Sequence, residues 1–172
     1  MRTITIFYSL KGETIAPGYK IEVLEKGHTA NVAETISAVS GSESYEIRTI
    51  KEYNREHMKM IYEAKEEIDA GILPDLVDDL PYIDDFDLIF LGYPNWWNTL
   101  PTPVSSFLSR YDWKGKRIAP FCTSMASGFG KSLDTLSKAT EGAEMLEGLH
   151  IKSTDIPSAR GLVESWVRRL MR

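Results

Sequence analysis

The chain has 172 residues, 42% of them hydrophobic and 26% charged, with a formal net charge of −5 at pH 7. That length suits one α/β domain, spanning residues 1–172, with a sizeable core, and the acidic balance argues against nucleic acid or an anionic membrane as the main partner. The single cysteine, Cys122, excludes an intramolecular disulfide and a cysteine-built metal cluster, and no apolar run approaches the ~20 residues that a bilayer span requires. No N-terminal stretch reads as a secretion signal, so the expectation is a soluble cytoplasmic protein.

Thr3 to Tyr8 (TITIFY) is β-branched and aromatic and predicts a first strand, and Val32, Ala33, Ile36 and Val39 form one stripe of a helix over Asn31 to Val39. Between them, Leu10 to Lys26 carries a turn signal at Ala16-Pro17-Gly18. There Tyr19, Ile21 and Val23 alternate with Lys20, Glu22 and Leu24, which predicts a β-hairpin over 11–25. Tyr45 to Ile50 reads as a second strand, and a helical pattern from about Asn54 to Ala70 ends at Gly71. Asp87 to Gly92 (DLIFLG) lacks polar alternation, the mark of a strand covered on both faces in a parallel sheet. It stops at the aromatic, amide-rich loop Tyr93 to Thr99. Thr102-Pro103 then opens a helix with Val104, Phe107 and Leu108 on its buried stripe. Arg117 to Cys122 is a fourth strand, Ser132 to Ala139 a helix, and Glu144 to Ile151 a weaker fifth strand. Leu162, Val163, Trp166, Val167 and Leu170 give the last helix its apolar face. Strands alternating with helices imply an α/β fold, a parallel sheet with helices on both faces.

Ligands of such sheets bind outside the carboxyl ends of the strands, where the strand order reverses. Three loops fall there. Lys26-Gly27-His28-Thr29 opens a helix, where free N–H groups and the helix dipole suit an anion; Thr29 or His28 acting only as a cap is the alternative. Trp96 and Trp97 offer cover for a flat aromatic ligand. Thr123 to Gly130 is small and flexible enough to bring backbone N–H groups to a ligand's carbonyl edge, or is an ordinary connection.

The phrases LGYPNWWNTLPTPVSSFL and FCTSMASGFGKSL, with EGLHI after them, resemble the short bacterial flavodoxin family, over about Met1 to Ile151 and most specifically from Phe90 to Gly130. The resemblance implies a flavodoxin-like α/β/α sandwich with a five-stranded parallel sheet of order 2-1-3-4-5, here with a hairpin inserted after strand 1, and flavin mononucleotide (FMN) at the switch point. It places Ser9, Gly27, His28 and Thr29 on the phosphate. Pro94, Asn95, Trp96, Trp97 and Asn98 would flank the isoalloxazine, with Trp96 or Trp97 stacking, and Thr123, Ser127, Gly128 and Phe129 would close the other side. The implied function is electron transfer to a redox partner protein or a small-molecule acceptor, by a monomer or homodimer. A reductase dependent on NAD(P)H or quinone, with its own substrate pocket, is the second reading, and a flavin-free binding domain the third.

Two features depart from the family pattern. The insert splits the phosphate loop; it reads either as a lid carrying Lys11 or Tyr19 to the flavin or as decoration of the rim. Ser124-Met125-Ala126 stands where the family has histidine and glycines. From Glu66 to Ser109 there is no lysine or arginine, and nine acidic residues lead toward the tryptophan loop. They would lower a flavin's potential by repulsion, or they are a solvated acidic surface. Other chemistries are excluded. Gly130-Lys131-Ser132 lacks the first P-loop glycine, because position 125 is Met125. His28, His57 and His150 lack metal-ligand spacing, and a receiver domain needs an aspartate where strand three ends in Gly92-Tyr93-Pro94.

Overall fold

The computed structural model describes residues 1–172. Its main sheet is parallel and runs β4 (Glu43–Glu46), β1 (Thr3–Phe7), β5 (Leu88–Pro94), β6 (Arg117–Ser124), then β7 (Glu144–Met145) and β8 (Leu149–Lys152) as two pieces of one edge. This is the 2-1-3-4-5 order, with the fifth strand divided. Period-two alternation sends side chains to two cores. Ile4, Ile6, Ile89, Leu91, Tyr93, Ile118 and Cys122 face one, while Phe7, Leu88, Phe90, Ala119 and Phe121 face the other. Both faces are apolar because both are covered. Helices α2 (His57–Ala70), α3 (Thr102–Leu108) and α4 (Ser132–Ala139) cover the first face, through Ala64, Val104, Phe107 and Leu136. Helices α1 (His28–Ser40) and α5 (Arg160–Leu170) cover the second, through Val32, Ala33, Ile36, Val163, Trp166 and Val167. No helix is long and apolar enough to cross a membrane.

Glycine at 92 is sterically required. It lies beside Phe121 in register, and a Cβ there would fall 2.0 Å from the phenyl ring. The edge strand breaks opposite Pro120 for a related local reason. Leu146 N–H donates to the Ile118 carbonyl at 2.8 Å, so Ile118 and, two residues on, Pro120 present their backbone to this edge. Proline has no N–H to give, and pairing resumes only at Phe121↔Leu149.

Several boundaries differ from expectation. The second strand is Glu43–Glu46 and not Tyr45 to Ile50: β1 supplies partners only from Ile4↔Glu43 to Phe7↔Glu46, after which Thr49 turns to an antiparallel bridge with Leu76. Helix α1 begins at His28, ahead of Asn31. Helix α2 begins at His57 and not Asn54, because the Asn54 side-chain oxygen accepts from Glu56 N–H at 2.9 Å and holds the chain in a turn. Leu162 is 55% exposed and lies off the buried face of α5. The insert is a hairpin, as its alternation predicts. β2 (Gly12–Ala16) pairs antiparallel with β3 (Lys20–Leu24), apart from the main sheet.

Candidate functional site

The carboxyl ends of β1, β5 and β6 open into a chamber of about 370 Å³. It lies where β1 feeds α1 on one face of the sheet and β5 feeds α3 on the other, the switch point of the strand order. Three segments anticipated from sequence meet there. His28 and Thr29 come from the start of α1, Pro94 to Asn98 from the end of β5, and Thr123 and Ser127 from the end of β6.

At the start of α1, the Ser9 hydroxyl accepts from Ala30 N–H at 3.1 Å, and Asn31 N–H returns to the Gly27 carbonyl at 3.2 Å. The N–H groups of His28 and Thr29 are the first-turn donors for which a helix has no internal acceptor. Gly27 allows this packing, since a Cβ at that position would sit 2.1 Å from Ser9 Oγ. Ser9 and Gly27 line a different cavity, behind the loop with Lys26 and Glu34, and not the chamber itself. The hydroxyl of Thr29 is buried and 2.8 Å from that of Thr123, which ties the loops of α1 and β6 together.

The two tryptophans have separate duties. Trp96 is 5% exposed and boxed edge-on by Tyr8 and Tyr53, with centroids 5.6 and 5.1 Å away. It is a core residue with one edge on the chamber. Trp97 is 46% exposed, and its indole N–H donates to the Ile61 carbonyl at 2.7 Å, which bolts the ring against α2. The Lys65 ammonium lies 5.4 Å from the ring centroid. Between them the backbone makes a tight turn, with Trp96 and Thr99 exchanging N–H to carbonyl bonds and Trp97 and Asn98 at φ of 48° and 68°. A bulky residue in the left-handed region is costly and is held there by its surroundings. Asn98 closes on the β6 loop. Its carbonyl accepts from Lys131 N–H at 2.8 Å, and a side chain at Gly130 would collide with it.

Asn95 joins the same loops. Its backbone N–H donates to the Thr123 carbonyl at 3.0 Å and its side-chain amide donates to the Gly128 carbonyl at 2.7 Å. The other side-chain atom, Oδ1, is buried with no hydrogen-bond partner. Ser124, at one of the family departures, lies 2.7 Å from His150 Nε2 and accepts from Gly128 N–H at 3.2 Å, fixing the bend of the loop. Gly128 thus shapes the loop without lining the chamber. Phe129 turns away from it and packs on Tyr93, His150 and Gly148.

Helix α2 and the turn that precedes it supply a wall that the sequence reading did not foresee, through Asn54 and Arg55 of the turn and His57, Met60, Ile61 and Ala64 of the helix. The available signal was Ala64, a small buried residue on an amphipathic stripe. The hairpin forms the roof through Gly12, Glu13, Thr14 and Leu24. It is clipped to the start of α2, where Glu13 N–H donates to the Arg55 carbonyl at 2.9 Å and the Glu13 carboxylate accepts from His57 N–H at 3.0 Å. Lys11 borders the chamber, whereas Tyr19 is 93% exposed at the hairpin tip.

Burial lowers the pKa of His28, with nearby Glu22 opposing, so its imidazole is neutral at pH 7. Burial pushes the Cys122 thiol up to about 12, which leaves it without nucleophilic character. The acidic residues from Glu66 to Asp87 do not line the chamber. Asp85 and Asp87 bond to Arg2, Asp78 to Arg48 and Asp79 to Arg110, away from the chamber. No group of His, Cys, Asp and Glu is placed to hold a metal ion.

Among solved structures, the chain is similar to a candidate flavoprotein from Bacteroides eggerthii, at 21% identity and a TM-score of 0.77, covering 99% of this chain and 98% of that one. A flavoprotein from Lactobacillus acidophilus in complex with FMN is 20% identical, with a TM-score of 0.63 and coverage of 91% and 97%. A Fusobacterium nucleatum flavodoxin bound to flavin mononucleotide is 12% identical, with a TM-score of 0.56 and coverage of 99% and 98%. No curated protein matches the sequence. The sequence profile described as flavodoxin matches residues 23–170, which leaves β1 and most of the hairpin outside the matched segment. On that match the chain belongs to the flavodoxin family.

Proposed function

We propose that the chain binds FMN noncovalently in the chamber and acts as an oxidoreductase. The observation that carries the reading is Asn95, a residue of the chamber wall whose Oδ1 is buried with no hydrogen-bond partner, an acceptor of the kind that an N–H on the flavin ring's polar edge would satisfy. The other surroundings fit the same group. Trp97 offers an indole to the flat ring system, and the His28 and Thr29 N–H groups offer a phosphate the dipole end of α1. Ser9 and Gly27 support that helix start from behind. When bound, FMN supplies the electron chemistry. The chain's own contribution is to orient it, keep water from one face with the hairpin, and present neutral His28 beside it.

The hairpin favours one of the narrower readings. A carrier that hands electrons to a protein needs an exposed flavin edge, whereas a chamber roofed by Gly12, Glu13, Thr14 and Leu24 suits a small-molecule partner. We therefore favour an enzyme with its own substrate space.

Fluorescence titration of the purified protein with FMN, with riboflavin as the control lacking a phosphate, tests the reading. FMN is expected to bind more tightly by about 1–3 kcal/mol, the contribution of a charge-assisted hydrogen bond. Thr29→Ala, which unties the loop of α1 from Thr123, is expected to narrow that gap. Equal affinity for the two flavins would remove the phosphate from the start of α1, and no binding of either would leave a flavin-free binding domain.

A further inference from the structure

The cleft beneath the hairpin does not end at the chamber. A second cavity of about 350 Å³ continues outward from it, and the two share Thr14, Leu24, His28, Met125 and Ser153 as walls. The outer cavity runs to the 3-10 segment Ser153–Ser158 that follows β8. Its size is within the range of small-molecule sites.

The two spaces differ in charge. Lys11 and Arg55 border the inner chamber. The outer cavity has no lysine or arginine in its lining, and its one ionised group is the Glu22 carboxylate. Apolar surface comes from Ile15, Ala16, Pro17, Leu24, Met125, Ile156 and Pro157. The hairpin register sets Thr14 opposite Glu22 and Gly12 opposite Leu24, and all four border the cleft, while Ile21 and Val23 are 63% and 65% exposed. At the inner end, His28 stands between the two spaces, with one donor and one acceptor nitrogen when neutral.

We propose that the outer cavity binds an uncharged, flat aromatic carbonyl compound of the quinone class, its carbonyl accepting a hydrogen bond from the His28 ring. This rests on the oxidoreductase reading and names the substrate class of that site. A phosphate-bearing ligand such as a nicotinamide dinucleotide is disfavoured there, because its charge would stand beside Glu22 with no lysine or arginine in the lining to offset the repulsion. Apolar walls with a single hydrogen-bonding group at one end are what a neutral ring compound satisfies.

The test is calorimetric titration of the FMN-loaded protein, and in parallel of the flavin-free protein, with 2-methyl-1,4-naphthoquinone. The anionic control is 1,4-naphthoquinone-2-sulfonate. Cys122 is buried, so thiol addition to the quinone does not interfere. The neutral quinone is expected to bind, and the sulfonate to bind about tenfold more weakly or worse. Thr154 is exposed and lines only the outer cavity, so Thr154→Trp fills that space without touching the chamber. It is expected to weaken the quinone by about tenfold or more and leave FMN affinity unchanged. Absence of quinone binding, equal binding of the sulfonate, or undiminished binding to Thr154→Trp each overturns the proposal. Flavin fluorescence reports FMN loading separately, so failure of the cofactor reading is distinguished from failure of the outer site.

Discussion

The tryptophan loop that walls the chamber and the hairpin that roofs it border the same cavity, yet they are secured differently. Trp96 is part of a buried cluster of 22 residues. Behind it Tyr53 O–H and Thr102 O–H donate to Glu67 Oε2, each at 2.6 Å, and Lys51 donates to Oε1 at 2.7 Å. Burial pushes the Glu67 pKa up, but these three donors outweigh it and hold the carboxyl below its usual range. The hairpin's strands pair only with each other, β3 is exposed along most of its length, and the clip to α2 consists of Glu13. The wall is thus set by folding itself, while the roof is tied to α2 by a few polar contacts.

Breaking the wall is expected to have the largest effect. Trp96→Ala removes a buried aromatic from between Tyr8 and Tyr53 and should lower stability by about 3–5 kcal/mol, read as a shift in the denaturant midpoint. Glu67→Ala leaves the Tyr53 and Thr102 hydroxyls without their acceptor and should cost about 2–3 kcal/mol by the same measurement. A loss under about 1 kcal/mol for either, the usual range of surface changes, would dissolve the distinction drawn above. The neighbouring tryptophan sharpens it. Trp97→Gly gives up the bond to Ile61 but relieves a left-handed backbone, so the two terms roughly cancel and stability should move by no more than about 1 kcal/mol while FMN binding weakens.

On the roof, Glu13→Ala removes the side chain that caps α2 from outside the helix, an interaction worth about 1 kcal/mol. Hydrogen exchange should quicken in the amides of β2 and β3 while the main sheet stays protected, and FMN should dissociate faster. Uniform quickening across the sheet would show instead that the hairpin is integral to the fold.

How much of this was legible in the sequence follows the same division. The apolar runs of β1, β5 and β6 were plain because both their faces are buried. The edge strand β4, with sequence ESYE, carries no such pattern and was misplaced, and the interruption between β7 and β8 depends on a proline in the neighbouring strand. The end of β5 pointed to the chamber, but adjacent tryptophans look alike in sequence, and only the positive-φ turn separates the core residue from the exposed one. The contribution of α2 was missed because it comes from tertiary packing. The acidic run looked close to the site only along the chain, since Asp85 and Asp87 lie at the opposite end of β5.

The smallest expected effect is a pH dependence, and it distinguishes the two regions once more. His28 sits beneath the roof, and His150 holds the β6 loop through Ser124. Burial lowers both pKa values from the ordinary 6.5; Glu22 opposes it at His28, while at His150 Lys152 adds to it and Asp155 opposes. Between the ordinary and the lowered value the unfolded chain binds more protons than the folded one, so stability is complete above about pH 6.5 and falls on acidification through that window. Urea midpoints at pH 7.5 and 5.5 should show the decline, and His150→Gln should flatten it. If His28 instead dominates, His28→Gln will flatten it more, and protonation will have been felt chiefly at the roof, where acid should then release FMN before it unfolds the sheet.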